Sequence, residues 1–285
     1  MAIIANTFTK YDAKGLREDL SSVIYNISPE TTPLVSNMSK RRSVSNTLYE
    51  WQVDSLSSAA ANANIDGDDL SSFTAVAATS RLGNYTQILR KDFIIADNLG
   101  GAIDEAGRRS EIAYQLAKKG NELKRDIEFN FCGVNQAAVA GSTSAARKTA
   151  SLSAFIRTNT SKGTGGGDPT VSGGIVNAAR TDASTSNQRA FTEAMLKTVV
   201  QGVWSQGGEP KFLMVGPHNK TVVSGFAGIA AQRYMAPDGP TQIIGAADIY
   251  VSDFGAIAVS PNRFSRERDA YVIDPDMVEM ATLRP

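Results

Sequence analysis

Between Asp97 and Gly133 the chain reads DNLGGAIDEAGRRSEIAYQLAKKGNELKRDIEFNFCG. Leu99, Ile103, Ala106, Ile112, Leu116, Gly120, Leu123, Ile127 and Phe131 recur at three-and-four spacing, which holds one side of a helix. The opposite side is charged, with Asp104 before Arg108 and Glu105 before Arg109 one turn apart. Asp97 or Asn98 suits the start as a cap, and Gly133 suits the stop. About 34 helical residues span roughly 50 Å, whereas a compact chain of this length has a radius of gyration near ~19 Å. One helix therefore crosses nearly the whole subunit, as in an elongated building block.

Directly before this helix lie two strand-like runs. Thr47 to Val53 alternates, with Thr47, Tyr49, Trp51 and Val53 on one face and Leu48, Glu50 and Gln52 on the other, as a half-buried strand requires. Leu82 to Ile95 forms a second strand region, interrupted by Arg90-Lys91. Between them, Asp54 to Ser80 is mostly Ser, Ala, Asn and Asp, and its apolar residues Leu56, Ile65, Leu70, Phe73 and Val76 keep no period. An isolated hairpin is marginal in water, and a polar tip adds no burial to hold it. The excursion needs a surface outside itself, and a neighbouring subunit is the natural candidate.

Residues 1–43 read as an arm, with a short helix around Leu16 to Ile27, then Ser28-Pro29-Glu30-Thr31-Thr32-Pro33, whose prolines oppose regular structure, and finally Lys40-Arg41-Arg42. Past the long helix, 141–182 is poor in large apolar residues and contains Gly163-Thr164-Gly165-Gly166-Gly167-Asp168-Pro169, a surface loop by composition. A second helix carries Phe191, Met195, Val199 and Val203 and stops at Gly207-Gly208. Lys211 to Val215 is a short buried strand, and a third helix runs from Asn219 to Phe226. Short strands follow at Ile243-Ile244, 249–251 and 257–259, and 270–273 with 278–283 makes a final pair around Asp274-Pro275.

The 285 residues are 42% hydrophobic, enough for a sizeable core, and 29 basic side chains balance 29 acidic ones. That balance argues against a dedicated nucleic-acid or membrane-surface binder. A single cysteine, Cys132, excludes an intrachain disulfide. The start lacks the basic flank and apolar core of a signal peptide, and no apolar run reaches the roughly 20 residues that span a bilayer. Cytoplasmic assembly without membrane contact is expected.

Motifs for chemistry fail in turn. Asn62-Ala63-Asn64-Ile65-Asp66-Gly67 resembles half a calcium loop, but Phe73 stands where the bidentate glutamate belongs, so Asp66-Gly67-Asp68-Asp69 reads as an acidic turn. Neither a dinucleotide nor a phosphate glycine loop is present. Nucleophilic catalysis would fall to His218, the one histidine, with Cys132 or a serine, yet no Gly-x-Ser-x-Gly elbow exists. Carboxylate pairs such as Asp104 with Glu105 or Asp68 with Asp69 are what solvated surfaces commonly carry. Tyr49 and Trp51 lack the basic frame that base stacking uses. We expect no catalytic, cofactor or metal site, hence no enzyme; a hydrolase using acidic residues or His218 is the weakest reading.

The arm with Ser28-Pro29-Glu30-Thr31-Thr32-Pro33-Leu34, the strand Asn46-Thr47-Leu48-Tyr49-Glu50-Trp51-Gln52-Val53-Asp54, the return Gly83-Asn84-Tyr85-Thr86-Gln87-Ile88 and the charged helix together resemble a known group. They look like a tailed-bacteriophage major capsid protein, of the podophage branch within Caudoviricetes that was formerly described as a domain of unknown function. The resemblance runs from about Ile27 to Asp126 and returns at Asp269 to Pro285. It implies an α+β chain of the Hong Kong ninety-seven fold: an N-terminal arm at 1–43, an extended β-hairpin loop at 44–96, a peripheral domain with its spine helix at 97–150 plus 266–285, and an axial domain at 151–265.

The implied function is structural self-assembly into hexamers and pentamers of an icosahedral phage head enclosing double-stranded DNA. The alternative is an encapsulin-like compartment shell. Implied partners are copies of itself, a separate scaffolding protein, a portal, a decoration protein and the packaged DNA through non-specific contacts, with the protein residing in the virion capsid after assembly in the bacterial cytoplasm. Residues 1–43 hold six basic and four acidic groups, and 44–96 hold three basic and six acidic. Inter-subunit contacts are therefore expected at Lys40, Arg41, Arg42, Tyr49, Trp51, Asp66, Asp68 and Asp69, steering register more than supplying energy. Residues 54–80 contain no lysine, so the lysine–asparagine linkage that some members form through this loop is not expected.

Overall fold

The computed structural model describes residues 28–38, 40–67, 69, 73–97, 110–226 and 248–284. They divide into two compact units, one of 30–90 with 123–285 and the other of 91–122 with the residues before 30. Helices and strands are mixed along the chain, as an α+β class requires. The proposed arm helix at Leu16 to Ile27, the strand at Ile243-Ile244, and Leu99, Ile103 and Ala106 lie outside the described residues.

The larger unit is built on a four-stranded sheet. Its strands are β6 (Phe212–Val215), β7 (Ile249–Ser252), β8 (Gly255–Pro261) and β9 (Ala270–Ile273), in the order β7-β8-β6-β9. Strand β6 runs parallel to β8 and antiparallel to β9, and β7 is antiparallel to β8. All four residues of β6 are buried because it is central and covered on both sides. On one side Leu213, Val215, Ile257 and Val259 meet Leu196 and Val200 of α4 (Glu193–Ser205) and Val223 of α5 (Pro217–Ser224). The sequence expectation put Met195 and Val199 on that face; the helix is turned by one residue, and Leu196 and Val200 are the buried pair. On the other side Phe212, Met214, Tyr271 and Ile273 are covered by Leu34 and Val35 from α1 (Pro33–Asn37) and Met38 just after it, with Cys132, Ile127 and Phe131. Pro33 does not prevent α1, because it sits at the first helical position, where the missing N–H has no partner to lose.

The helix expected from Asp97 to Gly133 is shorter among the described residues: Ser110 is not helical, α2 runs over the 18 residues Glu111–Glu128, and a π-helical turn at Phe129–Gly133 follows. Gly133 ends it as expected, and by close approach: a Cβ there would collide with the Phe129 ring and the Phe264 carbonyl. The apolar stripe changes role along its length. Ile112 is 51% and Leu116 64% exposed, whereas Ile127 and Phe131 pack on the core.

The strand expected at Thr47 to Val53 is β2 (Leu48–Val53), and it pairs antiparallel with β3 (Ser80–Tyr85) from Leu48↔Tyr85 to Val53↔Ser80. Residues 86–96 do not extend β3. The glycine-rich region supplies more order than its composition suggests. It forms α3 (Leu152–Phe155) and a hairpin of β4 (Thr170–Ser172) and β5 (Ile175–Ala178), which joins the loop strands in the order β2-β3-β5-β4. Its core is small, with Ala150, Ala154 and Val176 buried together. The expected final hairpin does not form. Strand β9 pairs with β6, while β10 (Glu279–Thr282) pairs in parallel with β1 (Lys40–Ser43), tying the arm to the C-terminal strand. A one-turn helix at Pro275–Met277, capped by the Asp274 side chain, separates the two strands. Among the described residues no helix is long and apolar enough to cross a membrane.

Candidate functional site

Three chain segments converge at the end of α2: residues 33–43, expected as the end of an arm, residues 84–87 at the base of the β2–β3 ribbon, expected as the root of an extended loop, and the stretch from 130 to 151. The arm is held first. With Pro33 lacking an N–H, the next two donors of α1 would be orphaned in the core, and the carboxylate of Glu128 accepts both, Leu34 N–H to Oε1 and Val35 N–H to Oε2, each at 2.8 Å. Asn262 Nδ2 donates to Oε1 at 2.6 Å, closing the third side. Glu128 is fully buried. Burial pushes its carboxyl above the ordinary value, opposed by the N–H bonds from Val35, Leu34 and Asn262 and by the charge of Lys124. One helical turn on, the Cys132 thiol donates to the Glu128 carbonyl at 3.0 Å, and burial, with the Glu128 charge behind it, raises its pKa well above that of a free thiol.

The arm then continues through β1. Arg42 reaches back to Glu279 of β10 at 3.2 Å, bonds the Tyr49 hydroxyl, and lies 5.8 Å from the Tyr49 ring centre. Tyr49 and Trp51, on one face of β2, have ring centres 5.9 Å apart, and Trp51 lies 6.0 Å from Phe155 of α3.

The loop root is held by two carboxamides. Asn84 donates from Nδ2 to Thr149 Oγ1 at 2.9 Å and accepts the Ala150 N–H at 2.9 Å. Gln87 donates to Asn130 Oδ1 at 3.0 Å, while its Oε1 accepts from Thr149 N–H at 3.2 Å and Gln136 Nε2 at 3.3 Å. Gln136 Nε2 also bonds the Thr149 carbonyl at 2.8 Å. From the other edge of β3, the Gly83 N–H donates to the Gly174 carbonyl at 2.9 Å. Gly174 has φ +85°, and a Cβ there would run into the Arg81 carbonyl, so this approach needs glycine on both counts.

Of the residues singled out from sequence, the fold brings Arg42 and Tyr49 together and stacks Tyr49 with Trp51. Lys40 lies in β1, and Arg41, in the same strand, is exposed. Asp66 and Asp69 are exposed and make no ion pair among the described residues, and Asp68 lies outside them. Cys132 is in the core, whereas His218 opens α5 on the surface, so the two are not neighbours in one site. Among the described residues no group of three His, Cys, Asp or Glu could hold a metal ion. Glu128, Asn262, Gln136 and Asn130 were not legible as site residues. The one available signal was Glu128 itself, an acid set between Ile127 and Phe131 on the edge of the apolar stripe. The arrangement holds residues 33–43 and the base of the β2–β3 ribbon in place; its chemistry is hydrogen bonding.

Comparison with known proteins adds two findings. A family model described as SU10 major capsid protein matches residues 3–285. The major capsid protein of Escherichia phage Phieco32 is 28% identical over 244 residues, covering 76% of this chain and 68% of that protein.

Proposed function

The chain belongs to the SU10 major capsid protein family and is a capsid-forming structural protein, and from that premise we propose that it builds an icosahedral phage head on the Hong Kong ninety-seven plan. Residues 1–43 serve as the arm, 44–96 as the extended loop, 97–150 with 266–285 as the peripheral domain on its spine helix, and 151–265 as the axial domain. Copies join as hexamers and pentamers around double-stranded DNA, in the host cytoplasm, with a separate scaffolding protein, a portal and a decoration protein as partners.

One observation carries this reading. The loop beyond β2 and β3 exposes Leu56 at 99%, Ile65 at 83%, Phe73 at 85% and Val76 at 97%. Large side chains left this bare along a projecting segment mark a binding surface, and in a shell-forming chain the abundant partner is another copy. Charge favours the same pairing. The basic run at 40–42 and the acidic turn at 66–69 are opposite in sign, so in this reading one copy's arm meets a neighbour's loop there, with Tyr49 and Trp51 as the apolar floor. Exposed pairs of this kind contribute only ~0–1 kcal/mol each, so they select register while apolar burial supplies strength.

Limited proteolysis combined with negative-stain microscopy tests it. Residues 54–79 should be cut readily in the unassembled chain and protected in closed particles, because a neighbour then covers them. Equal cleavage in both states, or a chain that stays monomeric under every assembly condition, overturns the proposal.

A further inference from the structure

The root of the extended loop is built differently from its length. Along β2 and β3 the ribbon is a regular ladder, but past Tyr85 the chain leaves the strand, and Thr86 N–H to the Thr47 carbonyl, at 2.8 Å, continues the cross-strand pairing by one bond. What meets the body there is side chain. Asn84 spends both ends of its carboxamide on residues 149 and 150, and Gln87 spends both ends of its own on 130, 136 and 149. These three stretches belong to the π-helical turn after α2, the segment that follows it, and the approach to α3. A bifunctional amide satisfied at both ends has one orientation, since rotating it by half a turn sets donor against donor and acceptor against acceptor. Strand formation alone asks for neither amide.

We propose that Asn84 and Gln87 are positioning residues that set the angle at which the extended loop leaves the body, and that through this angle they set the curvature at which copies join and hence the diameter of the shell. The inference rests on the reading that the loop lies on a neighbouring copy. Lever arithmetic supports it. Six ladder residues in β2 at about 3.3 Å each make a ribbon of about 20 Å, so a turn of ~10° at the root moves its far end by about 3.5 Å, beyond what a hydrogen bond or a packed apolar contact tolerates. The same small turn repeated at every subunit changes how many subunits close a shell. The hairpin contact at Gly174 cannot substitute for the amides, because β3 and β5 meet at the single register pair Gly83↔Ile175.

The experiment measures particle diameters by cryo-electron microscopy, with subunit melting alongside, for wild type, Gln87→Ala and Asn130→Ala. Asn177→Ala is the control: it removes the Thr170 hydroxyl's 2.8 Å bond within the far hairpin and touches no clamp residue. Gln87→Ala and Asn130→Ala should lose the single wild-type diameter, giving mixed sizes, open sheets or tubes, while the control keeps it at a comparable loss of melting temperature. Clamp variants with the wild-type diameter and spread overturn the inference, as does a control that scatters sizes equally. Should Gln87→Ala not fold, Asn130→Ala, which removes only the helix side of the contact, decides the matter. Failure of wild type itself to form shells would instead refute the underlying reading of the loop, a result distinct from uniform variant shells.

Discussion

Replacing Glu128 is the most demanding test of how the arm is held. In Glu128→Ala, three donors that now bond one buried carboxylate, Leu34 N–H, Val35 N–H and Asn262 Nδ2, lose their acceptor inside the core. An orphaned buried donor costs about 1–3 kcal/mol, and the loss is partly offset because a charge no longer has to be desolvated, so we expect a net cost of about 3–5 kcal/mol. Glu128→Gln keeps the acceptor shared by Leu34 and Asn262 but turns an NH2 toward the Val35 N–H, for a smaller cost of about 1–3 kcal/mol. Chemical denaturation of the unassembled subunit reads both, and proteolysis within 30–44 reports whether the loss is local to the arm. The pH dependence is a second signature. Burial raises the Glu128 carboxyl in the folded state, so its contribution is fully present below the unfolded value, about 4.3, and is lost as pH rises through the folded value. The stability difference between wild type and Glu128→Gln should therefore shrink with rising pH across that window. A Glu128→Ala midpoint equal to wild type, or Glu128→Gln weaker than Glu128→Ala, would refute this account of the arm.

Gly174→Ala should destabilise by more than the ~1–2 kcal/mol that a left-handed backbone alone costs an L residue, since its methyl also meets the Arg81 carbonyl; the denaturation midpoint checks it, and a neutral result would mean the hairpin does not press on β3. Cys132 should resist alkylation in the native subunit and react at the rate of global unfolding, because burial suppresses its thiolate; fast labelling without denaturant would contradict its placement. Mature particles boiled in detergent should give one band near 30.3 kDa, since residues 54–80 contain no lysine; a ladder that survives reductant would reveal a covalent link.

Much of this fold was legible along the chain, in the places where a residue's neighbours in sequence decide its environment. Three-and-four spacing marked a helix in the stretch that holds α2, with Gly133 closing the π-helical turn after it, although the stripe packs on the core at Ile127 and Phe131 and is exposed at Ile112 and Leu116; an apolar run marked Phe212 to Val215 as a buried strand. Family membership was legible too, through the Trp51 strand, the Gly83-Asn84 return and the charged helix. Choice of partner was another matter. The segments 270–273 and 278–283 read as strands, but their alternation is equally satisfied by a hairpin or by separate sheets, and only the assembled core sends one to β6 and the other to the arm. The same holds for the buried polar groups. Nothing near Glu128 in sequence says that two N–H groups some 90 residues earlier will need it, and Asn84 and Gln87 look like solvent-facing amides until residues 130, 136, 149 and 150 close around them. Periodicity records which face is buried; what lies against that face, and which distant donor meets which acceptor, is set by closing the whole chain at once, where every buried polar group must find its partner.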